Sequence, residues 1–484
     1  MLEKLQIKPG ERIALISENC PEFARAIIEI WESNAVAIPV NPSYPHLKLT
    51  DAIKKVSCAK AIYGFNKNGS SISPSIRSDF EGKIYSFEEF KKSNIAIAGD
   101  CLRQKKDPFS LLYADTAALQ PLRALNDPAS IIFTSGTTDK PRAVMHTAGN
   151  HYYSALGSNE NIILSPQDIW LLCLPLYHIS GLSLIMKSYL SGAAIAVANP
   201  QDIRMPLSEM IGRSHATHIS LVPVQLHRLM QENSAVKLLR KLKAILIGGG
   251  TAADGLIKEC LQNKLKIFKS YGSSEMASQV TTTLPADTGS HLLSSGKLLK
   301  YRELSIASDT EILVKGKTLF SGYVRAGKEE TADRVTGDAN IFLPLDNEGW
   351  FHTGDTGYID SEGYLHVLGR KDTMFVSKGE NIYPEEIESA VLDYPGIENA
   401  IAVPVNCPKS ENVPAVFIKT AEKSSRGLHD IAGLKKFLEK KLEKVKIPEF
   451  YFELPKQKAG QLKPDREKLR ITASKLIRSK VFQE

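Results

Sequence analysis

The sequence predicts an α/β protein: a large N-terminal domain of two doubly wound αβ lobes plus a small β-barrel layer, followed by a small α+β C-terminal domain. Three observations predict it. Short apolar runs alternate with amphipathic helical patterns from Arg12 to about Tyr63, and the same rhythm returns from Ile169 to about Ser270. From Gly272 to Gly369 the texture changes to short strands between glycine turns. A chain of 484 residues is also too long for a single core. The boundary falls after Arg370, giving residues 1–370 and 371–484.

In the first lobe, Ile13-Ala-Leu-Ile16 reads as a buried strand, Phe23 to Trp31 as a covering helix and Ala35 to Val40 as the next strand. The polar stretch Lys67 to Ser75 reads as a loop. In the second lobe the apolar runs are Trp170–Leu174, Ala193–Ala198, His218–Val222 and Ala244–Ile247. Ser305-Ile306, Glu311–Val314 and Tyr364–Leu368 are the clearest strands of the barrel-like layer. Beyond Gly369-Arg-Lys-Asp372 a unit of roughly a hundred residues follows. It carries a helix over Pro384–Leu392, strands over Ala400–Val405 and Ala415–Lys419, and a helix over Gly433–Leu442.

Hydrophobic content of 43% and charged content of 24% are those of an ordinary globular protein. The net charge of +7 is mild, and its basic residues crowd toward the end, in Lys435–Lys441 and Lys463–Lys480, without aromatics interleaved as a single-strand binding surface would need. That pattern describes a solvated helix face and argues against a nucleic-acid surface. The six cysteines are scattered with no CxxC pair, which fits a reducing compartment and argues against a disulfide framework or a zinc site. The N-terminus has no apolar signal core and no run reaches the length of a membrane span, so a cytoplasmic location is expected. A homo-oligomer is compatible with the sequence.

Four segments carry chemistry. The run Ser130 to Arg142 takes a buried strand into the turn Thr134-Ser-Gly-Thr-Thr-Asp-Lys-Pro-Arg142. Small residues admit phosphate oxygens to the backbone there, hydroxyls donate, and Lys140 and Arg142 balance charge. No GxxxxGK[ST] fits it, so it is not a Walker A loop. Leu246-Ile-Gly-Gly-Gly250 ends a strand in bare backbone on which a flat base could lie, although glycines also end strands for steric reasons. Ser270-Tyr-Gly-Ser-Ser-Glu275 supplies an aromatic, hydroxyls and a carboxylate that could hold Mg²⁺ through one oxygen. The same residues also suit a helix N-terminus capped by Ser273 or Ser274. Gly349-Trp-Phe-His-Thr-Gly-Asp355, with Gly369-Arg370, offers a carboxylate for ribose hydroxyls and a guanidinium fork for the sugar or a phosphate. Asp355 alone also suits an Asx turn.

As TSGTTxxPR, YGxxE, WxxTGD and GRxDxxxxxxGENIxPxEIE, these segments resemble the adenylate-forming superfamily of acyl-CoA synthetases, peptide-synthetase adenylation domains and firefly luciferase. The similarity covers almost the whole chain. It implies that a carboxylic acid attacks the α-phosphate of Mg·ATP, and that the thiol of coenzyme A then displaces AMP, with a small C-terminal domain that is mobile between the two steps. Catalysis of that kind is mainly positioning and charge stabilisation. By resemblance, Thr134, Ser135, Gly136, Thr137, Thr138, Lys140 and Arg142 cradle phosphates. Tyr271 and Gly248, Gly249 and Gly250 enclose the adenine, Gly272 and Ser274 also bind ATP, Glu275 holds magnesium, and Asp355 and Arg370 bind ribose. Asp372 matches the hinge, and Lys378 and Gly379 line the coenzyme A tunnel.

The family's C-terminal catalytic lysine is displaced. Counting from Leu454-Pro455 selects Gln461, whereas counting back from Arg466 and Leu469 selects Lys463, which is preferred because a cation is needed at the α-phosphate; Lys458 is the reserve. Asp139 stands where the family has glycine and adds negative charge beside phosphates.

Gly149–Ala155, Leu174–Leu182, Thr217–Gln225 and Tyr271–Thr282 look like one branch, the 2-succinylbenzoate–CoA ligases of menaquinone synthesis. Such a substrate needs an apolar slot plus a cation or strong donors for its unreacting carboxylate. His178, Ser180, Gly181, Lys187, Ser278 and Gln279 are the candidates to line it, His178 also lying near the thiol tunnel by resemblance. Read from the residues alone, His178 also suits a core histidine and Lys187 the outer face of a helix. A CoA ligase for another aryl or medium-chain acid, and a silent nucleotide-binding homologue, are the competing readings.

Overall fold

The computed structural model describes residues 5–72, 80, 82–87, 109–112, 124–134, 141–325, 340–377, 379–407, 410–420, 430–455 and 465–481. The rhythm of apolar runs becomes two eight-stranded sheets. In the first, Pro128–Thr134, Val36–Val40, Arg12–Ile16, Lys60–Tyr63 and Lys83–Ser86 run parallel in that spatial order. The antiparallel strands Arg142–Thr147, Gly322–Val324 and Ile341–Phe342 extend one edge. In the second, Ala194–Ala198, Ile169–Leu171, His218–Leu221, Ala244–Ile247 and Ile267–Ser273 are parallel. Phe109–Leu112 closes one side antiparallel, and Ser278–Thr282 and Lys297–Leu298 close the other. Parallel strands covered on both faces read as continuous apolar runs, and Ile13, Ala14, Leu15 and Ile16 are all fully buried.

One helix between the sheets has no apolar stripe in the sequence and was not anticipated. Ala148–Asn161 starts on a capping box, in which Thr147 Oγ1 accepts from Asn150 N (3.1 Å) and Asn150 Oδ1 accepts from Thr147 N (2.8 Å). Its buried hydroxyls and amides bond to the far sheet: Ser154 Oγ donates to Ala277 O, Ser158 Oγ to Gln279 Oε1, and Asn161 Nδ2 to Thr283 O. Polar atoms buried here are satisfied by two backbone carbonyls and a side-chain amide of residues 277–283.

The expected barrel-like layer is an open four-stranded antiparallel sheet of Arg302–Ile306, Glu311–Gly316, Phe351–Ile359 and Leu365–Arg370. The smaller C-terminal unit is built on a three-stranded sheet, Ile397–Cys407, Ser410–Thr420 and Phe450–Glu453, with the first two strands longer than the apolar runs suggested. The helix expected over Gly433–Leu442 runs Ile431–Leu438. Strand alternation divides this unit's interior cleanly. Ala400, Ala402, Val416 and Ile418 pack with the helices Pro384–Leu392 and Ile431–Leu438, while Ile401, Val403, Ala415 and Phe417 pack with Leu469, Ala473 and Ile477 of the helix Arg466–Val481. Asp393 joins this unit to the large one, accepting from Gly255 N at 2.7 Å while pairing with Lys441.

Arg466 ties the last helix down. It pairs with both oxygens of Glu388, donates to Ala402 O at 2.8 Å and reaches Glu385 Oε1 at 3.4 Å. Removing it strands a mostly buried carboxylate. We expect Arg466→Ala to cost about 2 kcal/mol in urea unfolding, and Arg466→Met with Glu388→Leu to recover most of that loss.

Candidate active site

The strand Ile267–Ser273 leaves the parallel sheet and returns as Ser278–Thr282, with a bulge between Tyr271 and Gly272. No helix begins at Ser273 or Ser274, so the capping alternative is overturned: the chain turns back through residues 274–277 as a hairpin. A Cβ on Gly272 would stand 2.0 Å from Ser278 O, so glycine here is a steric demand of the crossing backbones. Beside it, Ala244–Ile247 ends in Gly248–Gly250; Gly249 has φ +78°, and a Cβ on Gly248 would come 2.9 Å from Ser270 Oγ. Gly249 and Gly250 are exposed bare backbone.

Three clusters radiate from the hairpin. In the first, Glu275 Oε1 accepts from the hydroxyl of Tyr323 at 2.8 Å, and the Arg142 guanidinium lies 5.4 Å over the Tyr323 ring. Burial and the neighbouring Glu275 push the Tyr323 hydroxyl above its usual range, so it remains a donor. Thr134 and Arg142, the two ends of the phosphate turn, are cross-strand partners. Ser135, Gly136, Thr137, Thr138, Asp139 and Lys140 between them lie outside the described residues, as do Lys378, Lys458, Gln461 and Lys463. Ser274, half-buried in the turn, offers its carbonyl to His146, whose Nε2–H donates at 2.6 Å. Burial lowers the His146 pKa to about 4, so this imidazole is neutral.

The second cluster centres on Asp355. Tyr271 donates its hydroxyl to Oδ2 at 2.7 Å, and Arg370 Nη1 donates to Oδ1 at 3.1 Å from the adjacent antiparallel strand. Arg370 also grips both oxygens of Asp372, at 3.1 and 3.2 Å, and the carbonyl of Thr353. Burial opposes its charge, but Asp372 and Asp355 outweigh burial and hold it protonated. Burial and Asp355 push the Tyr271 hydroxyl well up. Gly354 takes φ +72°, and its N–H donates to Glu311 Oε1 at 2.9 Å. Glu311 Oε2 receives His352 and Lys371. Gly379, at φ +82°, turns the small unit's hairpin Phe375–Ser377/Glu380–Ile382.

The third cluster lies along the helix Ile179–Ser191. His178 takes the N-cap position and is half-buried, and Ser180 is exposed in the first turn. Gly181 admits no side chain, since a Cβ would lie 2.2 Å from Pro175 O. One turn on, Ser183 Oγ donates to Ser278 Oγ at 3.4 Å. Another turn on, Lys187 is 2% exposed; its ammonium donates to Gln279 Oε1 at 2.5 Å and sits 5.3 Å over the Trp170 ring. The outer-face alternative for Lys187 is therefore overturned. Its pKa is lowered to about 7 by burial, with the Arg302 cation adding to the effect. Arg302 is itself buried, donating to Gln279 O, Ser154 O and Lys300 O.

Sequence reading missed Tyr323, His146, Trp170 and Arg302. None stands in a recognisable motif, and each enters through strand pairing or helix packing.

Glu275 has one oxygen committed to Tyr323, and no group of three or more metal-ligating side chains exists among the described residues. A magnesium ion here would depend on oxygens brought by a nucleotide, which fits a metal that enters with its substrate. We expect Tyr323→Phe to raise the KM for Mg·ATP about tenfold, with a stability change of about 1 kcal/mol; steady-state kinetics and thermal unfolding check both.

The family described as AMP-binding enzyme matches residues 1–324. The chain is 36% identical over 350 residues to the 2-succinylbenzoate–CoA ligase of Geobacillus kaustophilus, covering 70% of this chain and 68% of that one. It is 32% identical over 491 residues to the same-named ligase of Bacillus velezensis, covering 96% of each. Among solved structures it resembles o-succinylbenzoate CoA synthetase from Bacillus subtilis in complex with the acyl-adenylate intermediate OSB-AMP, with TM-score 0.75 and 27% identity over 97% of this chain and 90% of that one. The chain belongs to the AMP-binding enzyme family, among the adenylate-forming 2-succinylbenzoate–CoA ligases.

Proposed function

We propose that this chain is the AMP-forming ligase that joins 2-succinylbenzoate to coenzyme A in menaquinone biosynthesis, working in the cytoplasm on three small molecules. The observation that carries the choice of acid is Lys187, a buried cation whose hydrogen-bond partner among the described residues is a neutral amide. An ammonium kept out of water without a carboxylate is costly unless an anion arrives to meet it. Lys187 lies roughly 13 Å along the helix axis from His178, at 1.5 Å per residue. The proposed acid slot runs along His178, Ser180, Gly181 and Ser183 beside Ser278, with Lys187 and Gln279, hydrogen-bonded to each other, at its far end. The substrate's ring carboxylate meets Lys187 there, leaving the succinyl carboxylate at the hairpin.

In the first half-reaction that carboxylate oxygen bonds to the α-phosphorus of ATP as the bond to pyrophosphate breaks. The carboxylate is already ionised, so no strong general base is needed, and rate comes from alignment and charge. Gly248–Gly250, Gly272, Ser274 and Tyr271 hold the adenine side, and Asp355 with Arg370 holds ribose. Thr134, Ser135, Gly136, Thr137, Thr138, Lys140 and Arg142 hold the phosphates, with Lys463 at the α-phosphate. Glu275 would hold a magnesium ion, which when bound would supply charge neutralisation at the phosphates. In the second half-reaction the coenzyme A sulfur bonds to the acyl carbon and AMP leaves. Residues 371–484, turning at Asp372, exchange Lys463 for the Lys378–Gly379 loop between the two.

Pyrophosphate release over a panel of aryl and alkyl acids tests the reading: activity with 2-succinylbenzoate supports it, another preferred acid replaces the substrate, and none replaces the enzyme. Lys463→Ala is expected to abolish pyrophosphate release while coenzyme A still captures added acyl-adenylate. Carboxylate binding needs charged Lys187, so as pH rises through about 7 the amine deprotonates and the KM for 2-succinylbenzoate climbs. Lys187→Arg flattens that rise, and KM measured from pH 6 to 9 shows it.

A further inference from the structure

The cluster behind Lys187 extends past the slot. A lysine ends a flexible four-carbon stem, and burying it does not by itself fix where its ammonium sits. Gln279 supplies one fixed acceptor: its Oε1 also takes Ser158 Oγ at 2.8 Å, and its Nε2 donates to Thr282 Oγ1 at 2.7 Å. The second restraint is the face of Trp170. Both burial and Arg302 disfavour the charge, whereas an indole face, the strongest of the aromatic cation partners, favours it.

Trp170 is built to stay in place. It is 1% exposed on the strand Ile169–Leu171 and is the register partner of His218 on the neighbouring strand, whose ring stacks on it at 5.3 Å and 28°. His218 Nδ1 lies 2.7 Å from Thr217 Oγ1 and 4.0 Å from Asp168 Oδ1. Asp168 is fixed in turn by Ser165 N, Ser165 Oγ and Lys243. Burial lowers the His218 pKa to about 4, so this ring adds no like charge beside the cation. The indole Nε1 is buried with no partner among the described residues. Its hydrogen bond is therefore not what the position uses; its ring face is.

We propose that Trp170 is a positioning residue for substrate specificity, holding the Lys187 ammonium over its indole face so that the enzyme selects an acid bearing a second carboxylate. This rests on Lys187 being the partner of that carboxylate. The test compares kcat/KM for 2-succinylbenzoate and for 4-oxo-4-phenylbutanoate, which keeps the reacting arm and lacks the ring carboxylate. The ratio of the two is independent of the fraction of enzyme folded. Expected is a wild-type preference for the diacid that drops about tenfold in Trp170→Leu and about threefold in Trp170→Phe. In a Lys187→Met background, Trp170→Leu should leave the ratio unchanged. A wild type with no preference removes the Lys187 reading and this inference with it. A wild-type preference that survives intact in Trp170→Leu overturns the inference alone, as does an equal loss in the Lys187→Met background. Should Trp170→Leu fail to fold, an unchanged ratio in Trp170→Phe overturns it.

Discussion

The site depends on one backbone crossing. Where the chain turns from Tyr271 into Gly272, the returning strand passes so close that a Cβ on Gly272 would stand 2.0 Å from Ser278 O. The bulge at this point breaks the simple alternation of the strand and aims neighbouring side chains at three partners. Tyr271 reaches Asp355 in the third sheet, Glu275 reaches Tyr323 at the edge of the first, and Ser278 and Gln279 reach the helix Ile179–Ser191. His146 holds the tip through Ser274 O. A side chain at residue 272 would have to separate the two strands, and all three clusters would lose register together.

The electrostatics divide on the two sides of this hairpin. On the Asp355 side, charges come in opposed pairs: Arg370 between Asp355 and Asp372, and Lys371 between Asp309 and Glu311. On the Lys187 side two buried cations, Lys187 and Arg302, are met by carbonyls, an amide, a hydroxyl and an aromatic face. Paired charges in a partly open site give geometry and modest energy. Among the described residues no carboxylate meets these two cations, and this asymmetry underlies the proposed division into a nucleotide side and an acid side.

Much of this was legible in the residues, and the exceptions have physical causes. Strands buried on both faces, such as Arg12–Ile16 and Ala244–Ile247, carry their burial in composition. Tyr271, Glu275, Asp355 and Arg370 stand in motifs because glycine turns around them leave a fixed spacing. The helix Ala148–Asn161 was not legible, since a helix wedged between two sheets needs small polar residues and shows no apolar stripe. Tyr323 lies 48 residues from Glu275, and only the antiparallel pairing of Gly322–Val324 with Arg142–Thr147 brings it there. Lys187 was legible as a residue on a helix; its burial became visible only with Trp170 and Gln279 around it.

The proposed swing of the small unit meets a definite resistance. Arg370 is shared by Asp355 of the large unit and Asp372, the proposed hinge residue. Lys371 between them is tied to Asp309 and Glu311, which raise its pKa to about 12. Turning the backbone at Asp372 therefore strains these pairs before it disturbs the cores of either unit, because the two interior clusters of the small unit are complete without them. Lys371 is nearly half-exposed, so water can replace its partners as they separate. Asp355 is better buried, and Tyr271 holds the carboxylate oxygen that Arg370 does not touch. The proposed hinge thus lies among partly exposed ion pairs, beside the better-buried Asp355.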